Sequence, residues 1–187
     1  MNKSYIPKYT HKFPTNLPHG DKKYTLTYIR RMISEFVYDM GKLENNPFTF
    51  PEVQTLLDGI TVGGHKLSDQ NQILNIKSSW DYVIKLSNKE NLSLNKDTIC
   101  SIHKIVAKDE ALIVGDFRNG NIGIAGTTQY ECIEATLLND LFVNDINIIN
   151  KITNPLEKAI IINLWLSYCQ FFYDGNKRTA RLTSNLI

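Results

Sequence analysis

The spacing of apolar residues along the chain predicts a mainly helical fold. After Thr25, apolar side chains recur every three or four positions, as they do on one face of a helix. They are Ile29, Met32, Ile33, Phe36, Val37, Met40 and Leu43. A proline disfavours helical conformation in the residue before it, so Asn45-Asn46-Pro47 ends this element. The pattern predicts one helix within residues 25–46.

The same period predicts more helices further along the chain. A short helix begins at Pro51, and a longer one, capped by Ser68, runs to about Leu86. Others follow from Ser93 or Asn95, from about 133 to 142, from 155 to 172, and from 177 or 178 onward. The helix over 155–172 is apolar on all sides, which predicts a position in the centre of the core.

Two segments do not follow the helical period. Residues 112–127 are rich in glycine and alternate apolar with polar positions, which predicts a short β-hairpin. Residues 1–24 contain three of the six prolines and show little periodicity, which predicts an extended N-terminal arm. We therefore expect a single domain over residues 25–187.

Composition and charge narrow the classes of function. The 187 residues carry a net charge of +2, too small to indicate binding to nucleic acid or to an acidic membrane. No segment reaches the roughly 20 apolar residues of a membrane span, so we expect a soluble protein. The three cysteines, Cys100, Cys132 and Cys169, are widely spaced and odd in number, which favours a reducing cytoplasm over a disulfide framework.

The residues with the clearest chemistry lie near the C-terminus, in the run QFFYDGNKRTAR that spans 170–181. Glycine and asparagine allow a tight turn whose amides, with those of the next helix, can face an anion. Asp174 offers a hard oxygen ligand for Mg²⁺. Arg178 and Arg181 lie three residues apart on one helix face and could hold two phosphates. Taken alone, such a run is as compatible with a solvated loop as with a site.

This run resembles the signature of Fic domains, His-x-Phe-x-(Asp/Glu)-Gly-Asn-(Gly/Lys)-Arg-x-x-Arg. The matching residues are Phe172, Asp174, Gly175, Asn176, Lys177, Arg178 and Arg181. Two other segments are similar to family elements. Residues 112–127 look like the β-hairpin flap that aligns the target protein, and residues 43–53 look like the inhibitory helix with its pattern (Ser/Thr)-x-x-x-Glu-(Gly/Asn).

The resemblance implies a Fic-type helical bundle that transfers AMP from ATP to a hydroxyl of an unidentified protein, and it allows a homodimer. In that case Asp174 would bind Mg²⁺, and Glu44 would inhibit by pairing with Arg181 in the γ-phosphate position. Nucleotide and phosphates would be bound by Gly175, Asn176, Lys177, Arg178 and Arg181, with Asn176 and the turn amides at the α-phosphate. The target would dock on the flap residues Gly115, Phe117, Arg118, Ile122 and Ile124.

Three positions depart from the family pattern. Gln170 stands where the signature has its histidine, and an amide has no basicity useful for proton abstraction. The chain is then a weak or inactive enzyme, a protein that only binds a nucleotide or anion, or one silenced by an introduced change. Met40 stands where the inhibitory pattern has Ser or Thr. Lys177 stands where many family members have glycine; lysine at this position is also found in the death-on-curing toxins, which phosphorylate a protein, although those normally have Ala where Gly175 stands.

Overall fold

The computed structural model describes residues 3–17, 20–89, 92–124, 126 and 129–187, and within these ranges the chain is helical without β-strands. Its α-helices are α1 (Lys22–Arg31), α2 (Ile33–Leu43), α3 (Phe50–Leu57), α4 (Leu67–Ser87), α5 (Lys96–Val106), α6 (Leu138–Asn150), α7 (Pro155–Cys169) and α8 (Asn176–Ser184). A 3₁₀ helix, Ala135–Leu137, leads into α6. None of the described helices has the length and apolar character needed to cross a membrane.

Local capping explains where several predicted helices begin. The side chain of Asn95 accepts a hydrogen bond from Thr98 N (2.9 Å) at the start of α5. The side chain of Asn154 accepts one from Glu157 N (3.1 Å) at the start of α7, where Pro155 occupies the first position. Both caps satisfy amides that have no partner inside the helix. The predicted cap at Ser68 is wrong, since α4 begins one residue earlier.

The prediction of one continuous helix within residues 25–46 is wrong. The segment is divided at Met32, whose φ of −93° and ψ of 8° interrupt the helix between α1 and α2. Neither proline nor glycine marks this break, so the sequence gives no local signal for it. Helix α1 also begins earlier than expected, because the carboxylate of Asp21 accepts a hydrogen bond from Lys23 N (2.7 Å) and caps the first turn.

The predicted β-hairpin over 112–127 is not formed by the residues that the structure describes; two of its positions, 125 and 127, lie outside them. Its backbone amides bond to other parts of the fold instead of to a second strand. Gly115 N donates to His103 Nδ1 (3.0 Å), and Arg118 N donates to Phe171 O (2.9 Å). The described part of the segment is therefore an irregular loop attached to α5 and to the loop that precedes α8.

Helix α7 lies in the core, as predicted, but it is not covered on all sides, although its sequence is apolar on all sides. Trp165 and Ile162 are fully buried, and α7 packs along α8 and α6. A stripe on the opposite face stays exposed by 38–49%, at Leu156, Ile160, Leu164 and Tyr168. The apolar pattern did not distinguish these two faces because both carry apolar residues.

The N-terminal arm lies against the helical body. Residues 3–17 contain no helix or strand. Tyr5 N donates to the carboxylate of Asp145 (3.0 Å), which is fully buried on α6 and also accepts a hydrogen bond from Trp165 Nε1 (3.0 Å). A buried carboxylate needs such donors to offset its lost hydration.

Helix packing brings three separate parts of the chain to one place. Helix α8 packs along α7 and α5, and α2 packs along α4, which itself lies against α5 and α8. The C-terminal end of α2 thereby reaches the beginning of α8. The loop over 170–175 lies between them.

Candidate functional site

The loop between α7 and α8 turns sharply because two of its residues have left-handed backbone conformations. Gln170 follows α7 with φ 49°, and Gly175 precedes α8 with φ 71°. A Cβ at Gly175 would lie 2.7 Å from the Cβ of Ala107, far inside van der Waals contact. Only glycine meets both the conformational and the steric requirement at this position.

The side chain of Asn176 holds this loop closed. Its Oδ1 accepts a hydrogen bond from Phe172 N (2.9 Å), and its Nδ2 donates to Phe172 O (2.8 Å) and to Gln170 Oε1 (3.0 Å). The amide of Gln170 in turn donates to Ser167 O (2.6 Å). The side chain of Asn176 therefore bonds within the loop, and the backbone amide of Asn176 is the group available to a ligand.

The start of α8 presents free backbone donors. Among the described residues, no acceptor pairs with the amides of Asn176, Lys177 and Arg178, whereas Thr179 N donates to Gly175 O (2.9 Å). Unpaired amides and the positive end of the helix dipole both favour an anion at this point.

Asp174 stands beside these amides with an exposed carboxylate. Its side chain is 57% accessible. Its Oδ1 accepts a hydrogen bond from Gly175 N (2.5 Å) and lies 3.4 Å from Arg178 Nη2. Its Oδ2 has no protein partner in the described part of the chain. One carboxylate oxygen is therefore available to a cation.

Arg178 was predicted to hold phosphates, but its guanidinium is buried and surrounded by acidic groups. Only 1% of the side chain is accessible, and Nη1 donates to Glu110 Oε1 (2.6 Å) and to Val106 O (3.2 Å). Burial by itself would lower the pKa of Arg178, but the hydrogen bond to Glu110 and the charges of Glu110, Glu44 and Asp174 raise it above its usual value. Arg178 is a permanent buried cation.

The second signature arginine meets the end of α2. Arg181 Nη1 donates to Glu44 Oε1 (3.1 Å), so the predicted pairing of these two residues is present. Glu44 Oε2 also lies 3.7 Å from Nε of Arg178, a nitrogen without a hydrogen-bond partner in the described structure. One carboxylate therefore faces both signature guanidiniums.

These groups border an open cleft of about 160 Å³. Its lining consists of Glu44, Gln170, Tyr173, Asp174, Gly175, Asn176 and Lys177. The predicted site residues at the α7–α8 turn are thus brought together with Glu44, although 126 or more positions separate them in sequence. Arg178 and Arg181 lie behind Glu44 rather than on the open surface.

The family model described as "Fic/DOC family" matches residues 93–187, just over half of the chain. This chain belongs to the Fic/DOC family.

Known relatives agree with this assignment. Protein adenylyltransferase fic-1 of Caenorhabditis briggsae and that of Caenorhabditis elegans are each 25% identical over 172 residues, 86% of this chain and 33% of theirs. Protein adenylyltransferase Fic of Nematostella vectensis is 25% identical over 165 residues, 85% of this chain and 38% of its own. The chain spans about a third of the length of these relatives.

Solved structures share the fold. A Fic domain containing signaling protein from Bacteroides thetaiotaomicron superposes with a TM-score of 0.77 at 19% identity, covering 88% of this chain and 64% of the other. A fragment of Fic-1 from C. elegans gives a TM-score of 0.66 at 24% identity, covering 92% and 52%. The helical body is therefore a Fic fold.

Two of the predicted flap residues are core residues in this Fic domain. Phe117 is 7% accessible, and its ring centroid lies 4.8 Å from that of Phe171. Arg118 is 2% accessible, and its guanidinium donates to the carbonyls of Gln170 (2.7 Å), Gly120 (2.8 Å) and Ile133 (2.6 Å). Both residues hold the loop in place and cannot present a docking surface.

The other three predicted flap residues lie nearer the surface. Gly115 has φ 78°, and its amide is bonded to His103 Nδ1. Ile122 is half-buried, with its amide 3.3 Å from Cys132 Sγ, and Ile124 is 40% accessible. Of the predicted set, Ile122 and Ile124 are the ones whose side chains can meet another molecule.

His103 is fully buried beneath the signature loop of the Fic domain. Its ring stacks on Phe172 with centroids 3.7 Å apart. Because Gly115 N donates to Nδ1 (3.0 Å), the proton belongs on Nε2, which donates to Asp174 O (3.0 Å). Burial lowers the pKa of His103 to about 4, so the ring is neutral. Because both ring nitrogens are bonded to the backbone and the ring is buried, His103 supports the loop.

Proposed function

We propose that this Fic-family chain binds a magnesium nucleoside triphosphate in the cleft and that Glu44 holds the site in an inhibited state. In this proposal residues 25–187 are the Fic domain and residues 1–24 are its N-terminal arm. The observation that carries the proposal is the single carboxylate of Glu44 facing Arg181 and Arg178 beside the unpaired amides of α8. Guanidiniums that donate to a carboxylate in this way can also donate to phosphate oxygens.

The donor set fits Mg²⁺ in a nucleotide complex. Mg²⁺ is commonly held by one or two carboxylates together with phosphate oxygens and water. Asp174 offers one exposed carboxylate with a free Oδ2, next to the amides that would receive an α-phosphate. The ion would supply charge neutralisation on the phosphates, and Asp174 is the residue of this chain that would hold it.

The remaining positions follow from the same geometry. The amides of Asn176, Lys177 and Arg178 would bind the α-phosphate, with the glycine at 175 allowing close approach. Arg181 would bind the γ-phosphate after Glu44 withdraws, because it is the more accessible of the two signature guanidiniums (27% against 1%). The buried Arg178 would contribute a fixed positive charge beneath the site.

Chemistry at this site would be AMP transfer to a protein hydroxyl, as the names of the adenylyltransferase relatives suggest. Gln170 cannot take the proton of the incoming hydroxyl, and its amide already donates to Ser167 O and accepts from Asn176 Nδ2. The loss of a general base typically lowers a rate by about two to four orders of magnitude. We therefore propose slow transfer or none, so that the alternative function is nucleotide binding alone.

Protein phosphorylation, as in the death-on-curing toxins, is a less favoured alternative. The turn in this chain requires glycine at 175, since a Cβ there would contact Ala107 at 2.7 Å. The signature turn is thus built for the glycine-containing Fic sequence.

Labelled ATP with magnesium tests the proposal on four proteins: the native chain, Glu44→Gly, Gln170→His and the double variant. We expect self-modification from the double variant, weak or no label from the native chain, and tighter ATP binding in Glu44→Gly by calorimetry. Asp174→Ala in the double variant is the control, and it should abolish the label. If Glu44→Gly leaves ATP affinity unchanged, Glu44 does not occupy the phosphate position, and the inhibitory role is refuted.

A further inference from the structure

A chain of side-chain hydrogen bonds outside the cleft connects the end of α2 with the buried arginine of the signature. Asn46 Nδ2 donates to Gln72 Oε1 (3.0 Å), and Gln72 Nε2 donates to Glu110 Oε2 (2.9 Å). The other oxygen of Glu110 accepts the 2.6 Å hydrogen bond from Arg178 Nη1. We call Asn46, Gln72 and Glu110 the α4 relay, because its central member lies on α4.

The first member of the α4 relay fixes the backbone two residues after Glu44. Asn46 is 4% accessible, and its Nδ2 donates to Asp69 O (2.9 Å) as well as to Gln72. Its backbone amide and that of Glu44 both donate to Gly41 O (3.0 Å each). The end of α2 is therefore closed into one compact turn, so the position of Asn46 determines the position of the Glu44 carboxylate.

The α4 relay provides the polar anchor that the α2 sequence lacks. Met40 stands where the family pattern has a hydroxyl, and it is 4% accessible within the apolar core. Its thioether is at most a weak hydrogen-bond acceptor. The polar contacts nearest this end of α2 that can orient it are those of the buried Asn46, which bonds to Asp69 O, to Gln72 and to Phe48 N.

Gln72 can take only one orientation within the α4 relay. It lies between an amide donor of Asn46 and the carboxylate of Glu110, which accepts hydrogen bonds only. Its carbonyl oxygen must face Asn46 and its NH₂ must face Glu110. No apolar or anionic side chain satisfies both neighbours.

We propose that Gln72 is a positioning residue for inhibition: it couples Arg178, through Glu110, to the turn that holds Glu44 against Arg181. This inference rests on the proposed inhibitory role of Glu44. Gln72 does not line the cleft, so its effect on nucleotide binding acts through Glu44. Loss of the α4 relay frees the end of α2 and lets phosphates compete for Arg181.

The test compares Gln72→Met with a matched change on the same helix. Asn75 also donates from α4 to the segment after α5, through Nδ2 to Lys108 O (2.9 Å), and within the described structure no side-chain hydrogen bond joins it to a member of the α4 relay. Asn75→Leu is therefore the control. Calorimetry with ATP and magnesium should give about fivefold tighter binding for Gln72→Met, as expected for the loss of one or two hydrogen bonds, and no change for Asn75→Leu.

A double-mutant cycle with Glu44→Gly separates the possible outcomes. In the Glu44→Gly background, Gln72→Met should have no further effect on ATP affinity. Equal effects in both backgrounds, or weaker binding in Gln72→Met, would overturn the inference. If Glu44→Gly alone does not change ATP affinity, the proposed inhibitory role of Glu44 is refuted, whatever the effect of Gln72→Met on that affinity.

Hydrogen exchange supplies a second readout that does not depend on ATP. Peptides over residues 41–48 should exchange faster in Gln72→Met than in Asn75→Leu, while the amides of α7 stay protected in both. Unchanged exchange over 41–48 would show that the α4 relay does not hold the end of α2.

Discussion

The buried histidine under the signature loop predicts a specific dependence of stability on pH. Burial lowers the pKa of His103 to about 4, from an ordinary value of 6.5. One pKa unit corresponds to about 1.4 kcal/mol, so the folded state favours the neutral ring by about 3 kcal/mol. In the unfolded chain the ring takes up a proton as the pH falls below 6.5, whereas in the folded protein it does so only near 4.

The sign of the effect follows from this difference. Between pH 6.5 and about 4 the unfolded state binds more protons than the folded state, so the free energy of unfolding falls as the pH falls. The contribution of His103 is complete above that window. At about pH 5, roughly 2 kcal/mol of it should be lost, since protonation of the unfolded chain is then nearly complete.

Urea denaturation of the native chain and of His103→Gln, each at about pH 7.5 and about pH 5, measures this term. Glutamine keeps a donor and an acceptor for Asp174 O and Gly115 N but does not titrate. Between the two pH values the native chain should lose about 2 kcal/mol more than the variant, because the effects of carboxylates cancel in the comparison. Equal losses would refute the neutral, buried ring.

Two further predictions concern the backbone of the site. Gly175→Ala should lower the free energy of unfolding by about 3 kcal/mol, because alanine is strained in the left-handed conformation and its Cβ would contact Ala107. Thermal unfolding followed by circular dichroism measures this loss of stability. An unchanged Tm would contradict the prediction. Arg118→Lys should cost about 2 kcal/mol in urea denaturation, because a single ammonium cannot reach the three carbonyls that the guanidinium bonds. Arg30→Lys, an exposed change on α1, is its control and should have no effect.

The helical architecture could be predicted because local signals and tertiary packing agree in most of the chain. Asn95 caps α5 at one of its two predicted starts, α7 begins at Pro155 as predicted, and apolar periodicity gives the buried faces of α4 and α5. Predictions failed where only tertiary contacts decide. The break at Met32 has no local marker, and the exposed stripe on α7 is as apolar in sequence as its buried face.

The predicted hairpin shows how a correct local pattern can lead to a wrong structure. Alternating apolar residues with glycines are typical of paired strands. Here Phe117 and Arg118, adjacent in sequence, are both buried, and the Arg118 amide bonds to Phe171 O. Adjacent residues of a strand would point to opposite faces, so this segment cannot be read from its alternation.

The candidate site also contains one part that the sequence predicts and another that depends on tertiary contacts. The run over 170–181 could be identified because its chemistry is contiguous in sequence. The partners that bury Arg178 could not, since Glu110 lies 68 positions away and has no motif. Nor could the α4 relay, whose members meet only because α2, α4 and α5 pack together.

In the proposed mechanism activity depends on the residue at position 170, and the structure separates the backbone contacts of Gln170 from those of its side chain. Its carbonyl accepts the hydrogen bond from Arg118 Nε, and its left-handed φ of 49° ends α7; neither feature involves the amide group. In the described part of the chain, the side-chain amide of Gln170 hydrogen-bonds to Ser167 O and to Asn176 Nδ2 alone. Asn176 keeps both bonds to Phe172 without it. The loop should therefore survive Gln170→His, so that this variant tests proton abstraction on an intact scaffold rather than repair of a damaged one.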